Sequence, residues 1–225
     1  MNKRIGDLWI LDQAIALSGP VNMALDEILL NQITEPLLRF YPWSGDWVSF
    51  GYFKPIVEVR DLFIKEKVSF VRRRSGGGVV DHRIDQTYSI LAPKNHPLCL
   101  ERGAGSYAFL HGVLAEALRE TGLDAHREDL LKDNGDSRCF ENPVQFDLID
   151  SRGNKISGAG QHRGRSGLIH QGSIQNCELK EGWKDRFADG LADRVKHYEL
   201  DETLIKDAER LAERRYGNSA WLERR

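Results

Sequence analysis

Arg72-Arg73-Arg74-Ser75-Gly76-Gly77-Gly78-Val79-Val80 sets three consecutive glycines behind three consecutive arginines. Glycine has no Cβ, so such a run can take positive φ and turn several N–H groups toward one anion, with guanidinium charge beside it. The same run suits a tight turn in a surface hairpin. The three adjacent arginines favour binding of an anion or an acyl-phosphate. Val79-Val80 and the later Thr87-Tyr88-Ser89-Ile90-Leu91 read as strand, so the loop joins strands and does not open a helix. It lacks the Gly-Lys-Ser/Thr ending of a P-loop and the Gly-x-Gly-x-x-Gly of a dinucleotide fold. Gly158, Gly160 and Gly164 are spaced one residue too long for that second pattern, and no helix is predicted after them. Arg72, Arg73 and Arg74 alternate along a strand, so Arg73 should face opposite to its neighbours, with one or two of the three only solvated.

The bulk of the chain bounds what such a loop serves. Its 225 residues, 40% hydrophobic and 29% charged, fit a globular protein of one large domain or two small ones. A formal net charge of −2 gives no nucleic-acid footprint, so the arginine run is local. No apolar stretch approaches the ~18 residues that span a bilayer. The start, Met1-Asn2-Lys3-Arg4-Ile5-Gly6-Asp7, is basic but has no apolar h-region, so no secretory signal is expected. Three cysteines, at 99, 139 and 177, make neither a disulfide framework nor a zinc site. A cytoplasmic protein with free thiols and no metal is the expectation.

The elements that would position the loop are legible from periodicity. Trp9-Ile10-Leu11 starts as a strand, and Ser18-Gly19-Pro20 breaks it. A helix covers 22–30. Strands 37–41 and 47–52 bracket the turn Pro42-Trp43-Ser44-Gly45-Asp46, and strand 68–72 leads into the glycine loop. Ser106 is the predicted N-cap of a helix carrying Leu110, Val113, Leu114, Ala117 and Leu118, closed by Gly122. Segments 146–150, 155–159 and 168–174 form a three-strand meander, turning at 151–154 and 163–167. An amphipathic helix runs from Asp201 to Tyr216, with Leu204, Ala208 and Leu211 inward and Gly217 beyond its end. Strands and helices mix without regular βαβ alternation, which predicts one α+β domain over 1–225, mostly antiparallel sheet flanked by helices.

Four blocks, in order, resemble the biotin/lipoate protein ligases and lipoyl/octanoyl transferases. Asn22-Met23-Ala24-Leu25-Asp26-Glu27 is similar to that superfamily's first helix. Leu38-Arg39-Phe40-Tyr41-Pro42-Trp43 with Ser49-Phe50-Gly51-Tyr52-Phe53 is similar to its first hairpin. Arg73-Arg74-Ser75-Gly76-Gly77-Gly78 with His82 resembles its lipoyl-binding loop. Lys155-Ile156-Ser157-Gly158-Ala159-Gly160-Gln161, then His170-Gln171-Gly172-Ser173-Ile174, resembles its catalytic-lysine hairpin. Ser137-Arg138-Cys139-Phe140-Glu141-Asn142-Pro143 resembles the cysteine segment of the octanoyltransferase branch. His82 is followed by Arg83-Ile84-Asp85-Gln86 where ATP-dependent ligases usually show His-Asp and then Gly-Asn. From the short stretch after Ile174, the accessory domain many ligases carry is not expected.

The resemblance implies a biotin/lipoate ligase-like catalytic domain and an acyltransferase. It would move an octanoyl or lipoyl group from an acyl carrier protein, through an enzyme thioester, onto a lysine of a lipoyl-domain protein. Glycine-cleavage H protein and 2-oxoacid dehydrogenase E2 are carriers of that kind; no nucleic acid, membrane or cofactor is implied. The alternatives are an ATP-dependent lipoate-protein ligase using ATP and Mg, and a non-catalytic acyl- or carrier-binding module. In the transferase reading Cys139 is the nucleophile. A free thiol ionises near pH ~8.5, so it needs a cation or base beside it. Lys155 is the candidate, as an ammonium or as a neutral amine. Gly76, Gly77 and Gly78, with Arg73 and Ser75, wall the acyl chain; Gly158 and Ala159 bring the lysine strand close. His82, His170 and Gly172 line the acyl group. Cys139 also suits a small buried hydrophobe, Lys155 a solvated lysine, and each histidine a hydrogen-bonded strand residue.

Overall fold

The computed structural model describes residues 5–101, 103–129 and 143–224. In chain order come β1 (Ile5–Asp12), α1 (Gly19–Gln32), β2 (Leu37–Tyr41), β3 (Trp47–Phe50), α2 (Ile56–Leu62), β4 (Ser69–Arg72), β5 (Val79–Asp81) and β6 (Gln86–Pro93). There follow α3 (Pro97–Leu100), α4 (Gly103–Glu120), β7 (His126–Arg127), β8 (Leu148–Ile149), β9 (Lys155–Arg163) and β10 (Gly167–Ile174). The last are α5 (Trp183–Leu191), β11 (Ala192–His197), α6 (Glu202–Leu211), a π-helical turn (Ala212–Tyr216) and α7 (Ser219–Leu222).

One large sheet runs β11-β1-β2-β6-β10-β9-β8-β7. From β2 to β7 its neighbours are antiparallel, as expected; β11, β1 and β2 are parallel, an edge that periodicity did not show. A second sheet, β4-β3-β5, is small. Strands 37–41 and 47–50 therefore do not form the expected hairpin. Residues 42–46 carry the chain from one sheet to the other, and β3 pairs with β4 in parallel and β5 in antiparallel. The glycine loop spans the ends of β4 and β5, strands that do not pair with each other.

Alternation along β10 and β9 divides the side chains between two cores. On one face, Tyr88, Ile90, Leu168 and Ile174 pack with Leu110, Leu114 and Leu118 of α4 and Phe187 of α5. On the other, Leu37, Leu91 and Ile169 pack with Leu25 and Leu29 of α1, Leu204 and Ala208 of α6, and Val71 of β4. Each fully buried leucine or isoleucine contributes roughly 2 kcal/mol of transfer free energy to that layering. Helix α1 has a weakly amphipathic sequence because Asn22 and Asp26, one turn apart, are buried too. They receive the wholly buried Arg39 of β2, whose guanidinium donates to Asp26 Oδ1 at 2.6 Å and Asn22 Oδ1 at 2.6 Å. An unpaired charge there would be prohibitive.

Helix boundaries shift where caps compete. α4 starts three residues before the expected Ser106, whose hydroxyl donates back to Gly103 O at 3.2 Å; the stop at Gly122, φ 85°, is as expected. Asp201 caps α6 by accepting the Leu204 N–H at 2.8 Å. The helix then widens into the π turn, so the predicted continuous run to Tyr216 is broken at Leu211, which is only half-buried. No described helix is long and apolar enough to cross a membrane.

Candidate active site

The three arginines have three separate tasks, and none is merely solvated. Arg73 is 6% exposed and lies inside the glycine loop. Its Nη1 donates to Ser49 Oγ at 2.7 Å, and its Nη2 donates to Gly78 O at 2.9 Å and Gly76 O at 3.3 Å. Arg72, on the other face of β4, is 1% exposed and donates to carbonyls of Tyr52, Lys54, Leu222 and Arg224, which fixes the C-terminal segment. Arg74 pairs with Glu27 of α1 at 3.0 Å.

Loop geometry depends on glycine at two places. Gly77 has φ 90°, a region costly for any residue with a Cβ. Gly160 of β9 lies directly under the loop: a Cβ there would stand 2.2 Å from Gly76 O. The Gly76 N–H donates to Gln161 O at 3.3 Å, so this N–H is spent on the strand and is not among those the loop could turn toward an anion. Ser75, fully buried, donates to Gln171 Oε1 at 2.7 Å, and Gln171 Nε2 donates to Asp26 Oδ2 at 2.9 Å. Loop, β10 and α1 are thus one hydrogen-bonded body.

His82 extends it. Ser49 Oγ accepts from Arg73, which leaves its proton for His82 Nε2 at 2.6 Å; His82 Nδ1–H then faces Asp85 Oδ2 at 2.9 Å. The imidazole stacks on Trp43 with centroids 3.8 Å apart. This serine–histidine–aspartate row has nucleophile-like order, but Ser49 has no exposure and its oxygen is capped by a guanidinium. It is a strut for the loop.

Lys155 opens β9 and is 8% exposed. Its Nζ lies 2.7 Å from Asp147 Oδ2, itself buried, in an ammonium–carboxylate pair. The side chain crosses Gly158, where a Cβ would stand 2.7 Å from Nζ. Residues 158 and 160 point to one face of β9, about 7 Å apart along the strand. The lysine ammonium and the glycine loop therefore share that face. Tyr107 of α4 completes the corner: its hydroxyl donates to Asp147 Oδ1 at 2.6 Å and accepts the Ala159 N–H at 2.8 Å, a group beyond the reach of the short β8. The Val144 N–H donates to Asp147 Oδ2 at 2.9 Å. Burial of the phenol, then the Asp147 charge, pushes the Tyr107 pKa well up, so it stays a neutral donor.

The structure separates the remaining expected residues from that face. Ala159, His170 and Gly172 point to the opposite side, toward α4. Gly172 makes room for the Tyr88 ring. His170 is fully buried, with Nδ1 3.0 Å from Gln161 Nε2. Burial, then His111 and Arg163, holds its pKa well below the usual histidine range. His111 is held at about 4, chiefly by burial. Cys139 lies outside the described residues, while Cys99 and Cys177 are half-buried free thiols, and burial pushes the Cys177 thiol up. Sequence reasoning missed Asp147, Tyr107, Gln171 and Asp26. Period-two alternation was signal enough for Gln171, since it must face opposite to His170. Nothing local marked Asp147 or Tyr107 as partners of a lysine.

Residues 18–197 match the family described as lipoyl protein ligase A/B catalytic domain. The chain is 27% identical to octanoyltransferase LipM of Halalkalibacterium halodurans, over 89% of this chain and 93% of that protein. It is 34% identical to octanoyltransferase LipM of Macrococcus caseolyticus, over 71% of this chain but 63% of that protein. Among solved structures, a lipoate-protein ligase A bound with ATP has TM-score 0.74 at 19% identity, covering 97% of this chain and 98% of that one; this likeness is one of fold. The chain belongs to the lipoyl protein ligase A/B catalytic domain family.

Proposed function

We propose that this enzyme is an acyltransferase of protein lipoylation that passes an octanoyl group through Cys139. Octanoyl transfer is the activity that the family and the octanoyltransferase relatives support. One observation carries the site: the Lys155–Asp147 pair and the glycine loop lie side by side over Gly158 and Gly160 on one face of β9.

The acyl chain lies along Gly76–Gly78, with its thioester carbonyl at Lys155. The Cys139 thiolate attacks that carbonyl, and the Lys155 ammonium meets the oxyanion that forms. One such donor is worth about 3 kcal/mol in a water-poor site. Of the two roles expected for Lys155, pairing with Asp147 supports the ammonium over the neutral amine. Collapse breaks the donor C–S bond, returns the carrier thiol and leaves the octanoyl group on Cys139. The lysine amine of a lipoyl-domain carrier, such as glycine-cleavage H protein or 2-oxoacid dehydrogenase E2, then attacks this thioester; an amide forms and the thiol is restored. Both steps conserve the activation already in the thioester, so neither ATP nor Mg is needed. A cytoplasmic site of action, where such carriers are made, fits this reading.

Intact mass after mixing with an octanoyl-carrier thioester tests it. We expect a single octanoyl adduct, absent in Cys139→Ser, and carrier octanoylation without ATP. Turnover that survives Cys139→Ser and requires ATP would establish an adenylating ligase instead.

A further inference from the structure

Helix α4 delivers two side chains, one turn apart, to the corner that leads into the lysine strand. Tyr107 holds Asp147 Oδ1 and the Ala159 N–H. His111 Nδ1 lies 2.8 Å from the carbonyl oxygen of Phe146, and the ring centroids of Tyr107 and His111 lie 4.2 Å apart, so each limits the other's rotamers. Phe146 has φ 73°, a non-glycine residue in the left-handed region, at a cost on the order of 1–3 kcal/mol. That strain persists because the peptide is held on both sides: Phe146 N–H donates to Glu128 O at 2.6 Å while its carbonyl meets His111.

Asp147 has two oxygens and separate duties for them. Oδ2 serves Lys155 and the Val144 N–H, while Oδ1 accepts from the Tyr107 hydroxyl. A carboxylate tethered on one side can rotate, and its ammonium partner would follow. The phenol prevents that, and through Ala159 it also fixes the strand between the glycine under Lys155 and the glycine under the loop.

The geometry points to Tyr107 as a positioning residue for acyl transfer: its hydroxyl orients the Asp147 carboxylate and, through it, sets the Lys155 ammonium over Gly158. This rests on the reading of Lys155 given above. Tyr107 acts mainly through Asp147, so most of its effect is lost when Asp147 can no longer pair with the lysine.

The test is single-turnover transfer from an octanoyl-carrier thioester by the full chain, with rates referred to the folded fraction. The proteins compared are wild type, Lys155→Ala, Tyr107→Phe, Asp147→Asn and the Tyr107→Phe/Asp147→Asn double variant. Loss of one hydrogen bond to a charged group predicts that Tyr107→Phe is about 10- to 100-fold slower, with donor KM within about twofold. In the Asp147→Asn background the same change should cost less than about threefold, the non-additivity of groups acting in series. Tyr107→His, which keeps a ring-borne donor, should fall between wild type and Tyr107→Phe, and serves alone should the phenylalanine variant not fold. A wild-type rate in Tyr107→Phe, or an equal loss on both backgrounds, overturns the inference while Lys155→Ala remains inactive. Full turnover by Lys155→Ala would instead remove the site reading itself.

Discussion

The two halves of the candidate site are built from different materials. The glycine loop is held by many hydrogen bonds to backbone and neutral groups, with Arg73 reaching Ser49, Gly76 and Gly78, and Ser75 reaching Gln171. The lysine corner is centred on the buried Lys155–Asp147 ion pair, with the Tyr107 phenol and a strained Phe146 beside it. Redundant hydrogen bonds make a rigid surface against which an apolar chain can lie, and they act alike on ground and transition states. A single oriented charge acts mainly where new charge appears. The loop half should therefore govern KM, and the lysine half kcat.

Removing the charge is the strongest test. Lys155→Ala should lower kcat about 1000-fold with donor KM within a few fold, as read from steady-state transfer. A KM change as large as the kcat change would erase the division between the halves.

Acid should find the lysine corner first. His111 is neutral in the fold, with its pKa held at about 4 against 6.5 ordinarily. Between those values the unfolded chain binds the extra proton, so stability is present above pH 6.5 and falls as pH drops toward 4. The full effect is worth about 3 kcal/mol, and His170 adds in the same direction. Hydrogen exchange as a function of pH should show the amides of Phe146 and Asp147 losing protection before those of Gly76 to Gly78. The reverse order would contradict the comparison.

Gly160→Ala strikes the loop half. Its Cβ cannot coexist with Gly76 O, so strand and loop must part. Donor KM should rise about 10- to 100-fold, with a stability loss of about 1–3 kcal/mol by thermal melt, while the single-turnover rate at saturation changes little. Arg73→Lys is the mildest change. It keeps the charge but has no fork to span Ser49, Gly76 and Gly78 together, and donor KM should rise about 5- to 10-fold. An unchanged KM would mean that the guanidinium is not what shapes the loop.

How much of this was legible beforehand differs element by element. The meander of β8, β9 and β10, the helices α1 and α4, and the glycine loop between strands followed from local chemistry: alternation, turn residues and caps. The hairpin expected across Pro42 to Asp46 did not form, because a turn signal specifies a change of direction and not which sheet the next strand joins. β11 was missed because Ala192-Asp193-Arg194-Val195-Lys196-His197 is polar, as suits an edge strand with one neighbour.

By itself the sequence determined the reactive inventory: a glycine run that needs no side chains, a lysine opening a strand after a turn, and small residues at 158 and 160. These are properties of residue type and period, which act over a few positions. Only the tertiary structure decided that Asp147 and Tyr107 complete the lysine, that Arg72 serves the C-terminal segment while Arg73 serves the loop, and that His170 faces away. Those outcomes depend on which buried polar groups find partners across the fold, and a lone buried charge costs too much for the chain to leave that matching to neighbours in sequence.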